Sequence, residues 1–441
     1  MKRKNIGSGI SIPTYAINLK ERTDRLAHIK AQFEDKSEFD LNLLEVNKHH
    51  IGALGLWHNI VKIITEAKGL DLDYVIICED DHIFTNKYRP RLLYEYILQG
   101  EQRNADILLG GVSWFRDALQ VSKNIFWVDQ FTGLQFTIVF KKFFKTILEA
   151  DFEDLDVADK KIASLSNNKF IIYPFISIQK EFGYSDVTHM NNTKGYINLL
   201  FKNTSAMMKK ILKVERFYQN LVKEIDVSGF TDDNFTIPTY IVNLPERTER
   251  LEHTKLQFSG RKEFDIKVVE ACRHEIGAVG LWQSFRKIIQ IAIENDDDVI
   301  IICEDDHVFT EDYTKEKLIE NIIKANDLGA YVVSGGIGNY GTAVPVVDEL
   351  WWIDTHWSTQ FVVVFKQFFQ QILDEPFSET VTADGKFSEM TSRKMVIYPF
   401  ISVQQDFGYS DICLRDSYRS DDTFRDTSAR LNKLKEALVS I

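Results

Sequence analysis

Short apolar runs and helical apolar stripes alternate along the chain. Thr14–Leu19 and Phe39–Val46 read as strands, and Arg22–Phe33, with Leu26, Ile29 and Phe33 on one face, reads as the helix between them. Gly52–Ala67 carries Leu56, Ile60, Ile63 and Ile64 at helical spacing. The stretch VIICEDDHIF (residues 75–84) opens as a β-branched run of the kind buried on both faces and breaks off in three acids and a histidine. A helix around Arg91–Leu98 follows, then Asp106–Leu109 entering a Gly110-Gly111 turn, then Ile125–Val128 and Leu134–Phe140 as further strands. Phe143–Leu148 is helical, and Lys169–Tyr173 is a short strand stopped by Pro174. This alternation predicts an α/β unit with a mostly parallel sheet and helices on both faces. The late strands have no helices between them and predict an antiparallel or mixed edge.

The whole pattern is written twice. TYAINLKERTDRLAHIKAQF (residues 14–33) matches TYIVNLPERTERLEHTKLQF (residues 239–258), an offset of 243 − 18 = 225 between Asn18 and Asn243. The offset holds at Gly55 and Gly280, Asp81 and Asp306, and Gln135 and Gln360, and it still holds at FGYSD (residues 182–186 and 407–411). Later, FKNTSA (residues 201–206) pairs with FRDTSA (residues 424–429) at 424 − 201 = 223, a two-residue deletion. Units of this size are whole domains rather than solenoid repeats. The expected domains are residues 1–226 and 227–441, each closed by a capping helix, with SGFTDDNF (residues 228–235) at the join. The lysine-bearing helix of residues 204–225 also has a membrane-surface reading, and the less basic helix ending the second unit favours capping.

Composition narrows the class. With 53 Lys+Arg against 65 Asp+Glu the net charge is −12, which argues against broad binding to nucleic acid. No apolar stretch reaches the length of a membrane span, and MKRKNIGSGI lacks the apolar core of a signal peptide. The expected compartment is therefore cytoplasmic, with peripheral membrane association as its variant. Four cysteines in 441 residues are no disulfide framework, and Cys78 and Cys303 fall inside apolar strands as small hydrophobes.

The acids lie where an open α/β sheet binds ligands, at the strands' carboxyl ends. Glu79, Asp80 and Asp81, and likewise Glu304, Asp305 and Asp306, repel one another and call for a counter-charge, naturally a hard divalent ion holding phosphate. Asn18, Arg22 and Arg25, with Asn243, Arg247 and Arg250, stand at the end of the first strand. Arginines three apart on one helical face suit a diphosphate or nucleotide. His82 and His307 could ligate metal, although a histidine there is more often a hydrogen-bonding loop residue. Trp57 and Trp282 read as core, while Trp114, Trp127, Trp351, Trp352 and Trp357 would offer stacking faces to a ligand wherever they face a cleft.

The ordered set N-L-x-x-R-x-x-R, H-x-I-G-A-x-G-L-W, E-D-D and G-Y-S-D resembles glycosyltransferase family 25, which includes lipooligosaccharide and collagen galactosyltransferases. The resemblance spans nearly all of each unit. It implies two tandem GT-A-like folds and inverting transfer of a hexose from a UDP-sugar, with Mn²⁺ or Mg²⁺, to a glycan, lipid-linked or protein acceptor. It places Glu79–Asp81 and Glu304–Asp306 at the family's DxD-like site, with Asp81 and Asp306 toward the metal. The family's G-x-x-G-x-x-x-S-H segment is altered here, ending in Trp-His or Trp-Gln. An inverting transfer needs a carboxylate base. Asp159 and Asp384, 225 apart, fall where the family carries a P-V-D-like aspartate, with helix N-capping as their ordinary alternative. Asp186 and Asp411 of G-Y-S-D compete for the role. Two other classes fit the acids: a metal-dependent phosphotransferase, and a nucleotide-sugar or glycan-binding scaffold with one inactive domain.

Overall fold

The structure is a computed structural model that describes residues 11–184, 189–222, 236–377, 379, 381–408 and 420–440. Contacts divide the chain into two compact units, residues 1–212 with 436–441 and residues 213–435. The boundary expected at 226 and 227 falls outside the described residues.

In the first unit the order is β1 (Ile12–Leu19), α1 (Thr23–Phe33), β2 (Phe39–Val46), α2 (Gly52–Gly69), β3 (Tyr74–Glu79), β4 (His82–Phe84), α3 (Pro90–Gln102) and β5 (Ile107–Leu109). Then come β6 (Trp114–Phe115), β7 (Ala118–Ser122), β8 (Ile125–Val128), β9 (Phe131–Thr132), β10 (Phe136–Phe140), α4 (Lys141–Glu149) and α5 (Ala158–Ser164). β11 (Lys169–Ile172), β12 (Ser177–Gln179) and the part of α6 (Tyr196–Val222) up to Leu212 close it. Eight strands form one sheet in the order β2-β1-β3-β10-β5-β11-β8-β7. The pairings leave six strands running one way, with β10 and β8 reversed. The second unit repeats this order from Phe264–Glu270 through Ala343–Val347. The protein is thus two tandem Rossmann-like α/β units.

The hairpin β7–β8 makes the antiparallel edge that the late strands predict. β10 does not lie at the edge: it inserts antiparallel between β3 and β5. Its run Phe-Thr-Ile-Val-Phe is buried at every position, which only a central strand permits. Helices cover both faces. In the second unit Val362 and Val364 point into a cluster with Trp282, Phe285, Phe368 and Phe387, all helical. Phe361, on the opposite face, packs near His307, Phe309 and Phe264. Cys78 and Cys303 are buried thiols.

The long helix α6 buries Ile197, Phe201, Met208 and Ile211, and its Thr204 hydroxyl donates to the Ser113 carbonyl at 2.7 Å. Helix Ser420–Ser440 repeats the arrangement with Phe424 and Leu431, and with Thr427 on the Gly338 carbonyl at 2.6 Å. Among the described residues no helix is long and apolar enough to cross a membrane.

Candidate active site

The carboxyl ends of β1 and β3 and the N-termini of α1 and α2 open on a cavity of about 510 Å³ in the first unit. That volume suits a small-molecule site. Arg22, Arg25, Glu79, Asp80, Asp81 and Asp159 all line it. The glycine-rich segment supplies one wall, through Gly52, Ala53 and Gly55 in the first turn of α2. A Cβ on Gly55 would stand 2.8 Å from that of His49, and one on Gly280 would stand 2.5 Å from the Cys272 carbonyl oxygen. Glycine therefore lets the helix start press against the preceding loop and turn its unpaired N–H groups toward the cavity.

The arginines and acids are joined to each other. Arg25, 5% exposed, reaches Asp80 at 2.9 Å and Asp81 at 3.6 Å, and Arg22 reaches Asp80 at 3.4 Å. In the second unit Arg250 lies 2.7 Å from Asp305 and 3.0 Å from Asp306, and Arg247 lies 4.0 Å from Asp305. Cations in the first turn of a helix oppose its dipole, and these acids offset that cost. Arg25 also lies against Phe182 and Tyr184, its guanidinium 4.6 and 4.5 Å from the ring centres, and it donates to the Tyr184 carbonyl at 2.7 Å. So F-G-Y closes over the arginine. Part of the counter-charge sought in a cation is built into the chain.

Asp159 lies at the second helical position of α5, after Val157 at the cap, so it is no N-cap. One carboxylate oxygen accepts the Gly133 N–H at 3.1 Å, and the other accepts the Lys160 N–H at 2.7 Å. Asp384 repeats this with Ser358 at 2.9 Å and Gly385 at 2.8 Å. The helices bearing them are anchored at their other ends. Lys394, buried, donates to the Ser388 and Thr391 carbonyls at 2.7 and 2.6 Å, and Lys169 reaches the Ala163 carbonyl at 2.8 Å. Burial pushes Asp159 up, and burial, then the charges of Asp81, Asp80 and Asp159, raise Glu79 well above the ordinary range.

Burial, then neighbouring carboxylates, push Asp81 up to about 7, and burial leads in taking Glu304 to about 8 and Asp306 to about 6. A carboxyl raised by folding contributes stability that is present at low pH and lost as pH climbs through the raised value. Buried imidazoles do the reverse: His82 and His307, pushed down to about 3, and His356, to about 4, withdraw stability as pH falls below 6.5. Once the unfolded-state imidazoles have lost their protons, above about pH 7, the raised carboxyls, Glu79 and Glu215 among them, set the slope. In EDTA the melting temperature is expected to fall from about pH 7 toward pH 8, and Asp81→Asn with Glu304→Gln should lessen that slope. A wild-type melting temperature that rises over this window would contradict the placement.

For a divalent cation the donors fit in kind. Among the described residues Asp81 and Asp306 each keep one buried carboxylate oxygen without a hydrogen-bond partner. Among the same residues no group of three or more His, Cys, Asp and Glu is arranged to hold a metal by itself. Asn18 is buried and donates to the Leu19 carbonyl at 2.8 Å; Ile17 and Leu19 line the cavity, and Asn18 does not. Asn243 likewise donates to Leu244 at 2.7 Å. Asp186 and Asp411 lie outside the described residues. His82 faces Ser177 at 2.8 Å within an aromatic cluster, and Trp57 stacks on Phe152 in the core. Sequence comparison marks T-G-L-Q (residues 132–135) and H-W-S-T-Q (residues 356–360) as diverged, without singling out their Gly133 and Ser358, whose N–H groups fix the aspartates. The positive φ of both, +104° at Gly133 and +89° at Ser358, shows a shaped turn, signalled in sequence by the glycine alone.

No family model matches the chain, and no curated protein matches it. Among solved structures, A197 from STIV is similar at 11% identity and a TM-score of 0.29, over 39% of this chain and 86% of that one. UDP-glucose pyrophosphorylase is similar in its apo form at 12% identity and a TM-score of 0.26, over 45% of this chain and 82% of that one. Its complex with UDP-glucose gives 10% identity and 0.25, over 45% and 81%. Likenesses at this level assign no activity.

Proposed function

We propose that each unit is an inverting glycosyltransferase of the family 25 type, moving a hexose from a UDP-sugar to a hydroxyl of a glycan, lipid-linked or protein acceptor. The observation that carries the reading is the convergence in one cavity of a helix N-terminus, a paired arginine–acid cluster and a backbone-fixed aspartate. The second unit repeats the cluster and the fixed aspartate at matching positions. The start of α2 and Arg22 would hold the diphosphate. Asp159 or Asp384 would take the proton as the acceptor oxygen bonds to the anomeric carbon, while the bond to phosphate breaks and its electron pair leaves with UDP. Asp81 and Asp306 would hold a divalent cation, Mn²⁺ or Mg²⁺, which supplies neutralisation of the leaving diphosphate.

Calorimetric titration of UDP with Mn²⁺ is expected to give two sites per chain, and Asp81→Asn with Asp306→Asn to remove the metal-dependent part of binding. Unchanged UDP affinity and metal dependence in the double variant would sink the metal assignment. Hydrolysis assays across UDP- and GDP-sugars would identify the donor, and no turnover of any of them would count against the enzyme.

A further inference from the structure

Of the seven tryptophans, five are buried: Trp57, Trp127, Trp282, Trp351 and Trp352. The two exposed ones, Trp114 at 46% and Trp357 at 42%, occupy the same rung of the same small ribbon in the two units, on opposite strands. In the first unit β6 pairs with β9, and Trp114 lies directly across from Thr132. In the second, Asn339–Tyr340 pairs with His356–Trp357, and Trp357 lies directly across from Asn339. By the 225 offset Trp114 corresponds to Asn339 and Thr132 to Trp357. Residues directly opposite on an antiparallel pair share a face, so the indole changes strand and keeps its side.

The ribbon is also tied to the candidate base. Gly133, which follows Thr132, donates its N–H to Asp159, and Ser358, which follows Trp357, donates to Asp384. The threonines of the closing helices clamp the neighbouring carbonyls of Ser113 and Gly338. Each indole is thereby held at a set place relative to its aspartate, and Trp114 lines the cavity.

We propose that Trp114 and Trp357 are acceptor platforms: the apolar C–H face of a neutral hexopyranose stacks on the indole while one of its hydroxyls meets the aspartate. The indole offers a broad apolar face with a negative quadrupole, which suits polarised C–H bonds. The strand exchange moves the platform by about 5 Å, roughly the width of a sugar ring. The two units therefore present different hydroxyls to their aspartates and form different linkages. The proposal rests on the glycosyl-transfer reading.

The test uses the full chain labelled with 5-fluorotryptophan, its ¹⁹F signals assigned through Trp114→Phe and Trp357→Phe. Lactose and maltose, a β- and an α-linked probe at millimolar concentration, are expected to move the Trp114 and Trp357 signals and none of the five buried ones. The two signals should rank the probes differently. By calorimetry in a Trp357→Ala background, Trp114→Ala should weaken disaccharide binding about fivefold to tenfold, with Trp114→Phe retaining most of it. Unchanged disaccharide affinity in Trp114→Ala would overturn the proposal. So would UDP with Mn²⁺ moving both signals as strongly as the sugars, which would make these nucleobase platforms. If UDP binds by calorimetry and neither disaccharide moves either signal, the platforms fall and the transfer reading stands. If the sugars shift both signals and UDP does not bind, the transfer reading falls and the indoles stand as glycan sites.

Discussion

Asp159→Asn combined with Asp384→Asn is expected to lower glycosyl transfer about a hundredfold or more while UDP still binds with Mn²⁺. The size follows from the role: a positioned base accounts for two to four orders of magnitude. Asparagine fills the same space and keeps one acceptor for the Gly133 or Ser358 N–H, so the ribbon stays tied. It gives up the bond from the next residue in the helix, but buried Lys169 and Lys394 hold those helices from the other end. The loss should therefore appear in the chemical step rather than in donor affinity. Each single variant divides the question, since the untouched unit continues to act. If the double variant transfers at the wild-type rate, the base lies elsewhere, and Asp186 and Asp411 become the candidates to replace.

Much of this architecture was legible in the sequence because burial and periodicity coincide there. The runs ending at Leu19 and Glu79 are apolar and β-branched, and both are central parallel strands. The 225-residue register, 223 in the closing helices, carried the inferences from one unit to the other. The place of β10 was not legible. A run buried on both faces has no alternation to declare its neighbours, so adjacency in sequence to β8 and β9 suggested the edge. β6 and β9 were missed because two-residue strands leave no periodic trace.

At the site, residue types were readable and their pairing was not. Arginines and acids were assigned separate ligands, a diphosphate and a cation, because each group looked unbalanced alone. The fold brings the start of α1 against the end of β3, so that Arg25 and Asp80 partly neutralise each other. Among the described residues one buried oxygen of Asp81 and one of Asp306 keep no hydrogen-bond partner, and Arg22 lines the cavity beside the helix start. The acceptor side was readable only as stretches that diverge between the units, residues 111–116 against 336–341 and 132–135 against 356–360. The exposed indoles occupy non-corresponding positions, and only the ladder register shows that they share a rung.

Arg25→Met is expected to destabilise the first unit by about 3 kcal/mol or more, the range for stripping one partner from a buried ion pair. The side chain removed is nearly inaccessible and carries three kinds of contact at once: Asp80 at 2.9 Å, the Tyr184 carbonyl at 2.7 Å, and the rings of Phe182 and Tyr184. Methionine retains part of the packing and none of the charge. Asp80, 5% exposed, would keep Arg22 at 3.4 Å, a longer contact than that from Arg25, beside Asp81 and Glu79, whose burial already disfavours their charged forms. Protonation would relieve some of this, so the loss should grow with pH. Adding Asp80→Asn should restore much of the stability, because it removes the stranded charge; a packing role alone would give no such rescue. Two units need not unfold together, so a single melting curve would blur the effect. Hydrogen exchange separates them: protection should fall in β1 and β3 and persist in the strands Ile237–Asn243 and Val299–Glu304. Equal protection of β1 and β3 in wild type and Arg25→Met would show that the arginine is held by the cluster without holding it together.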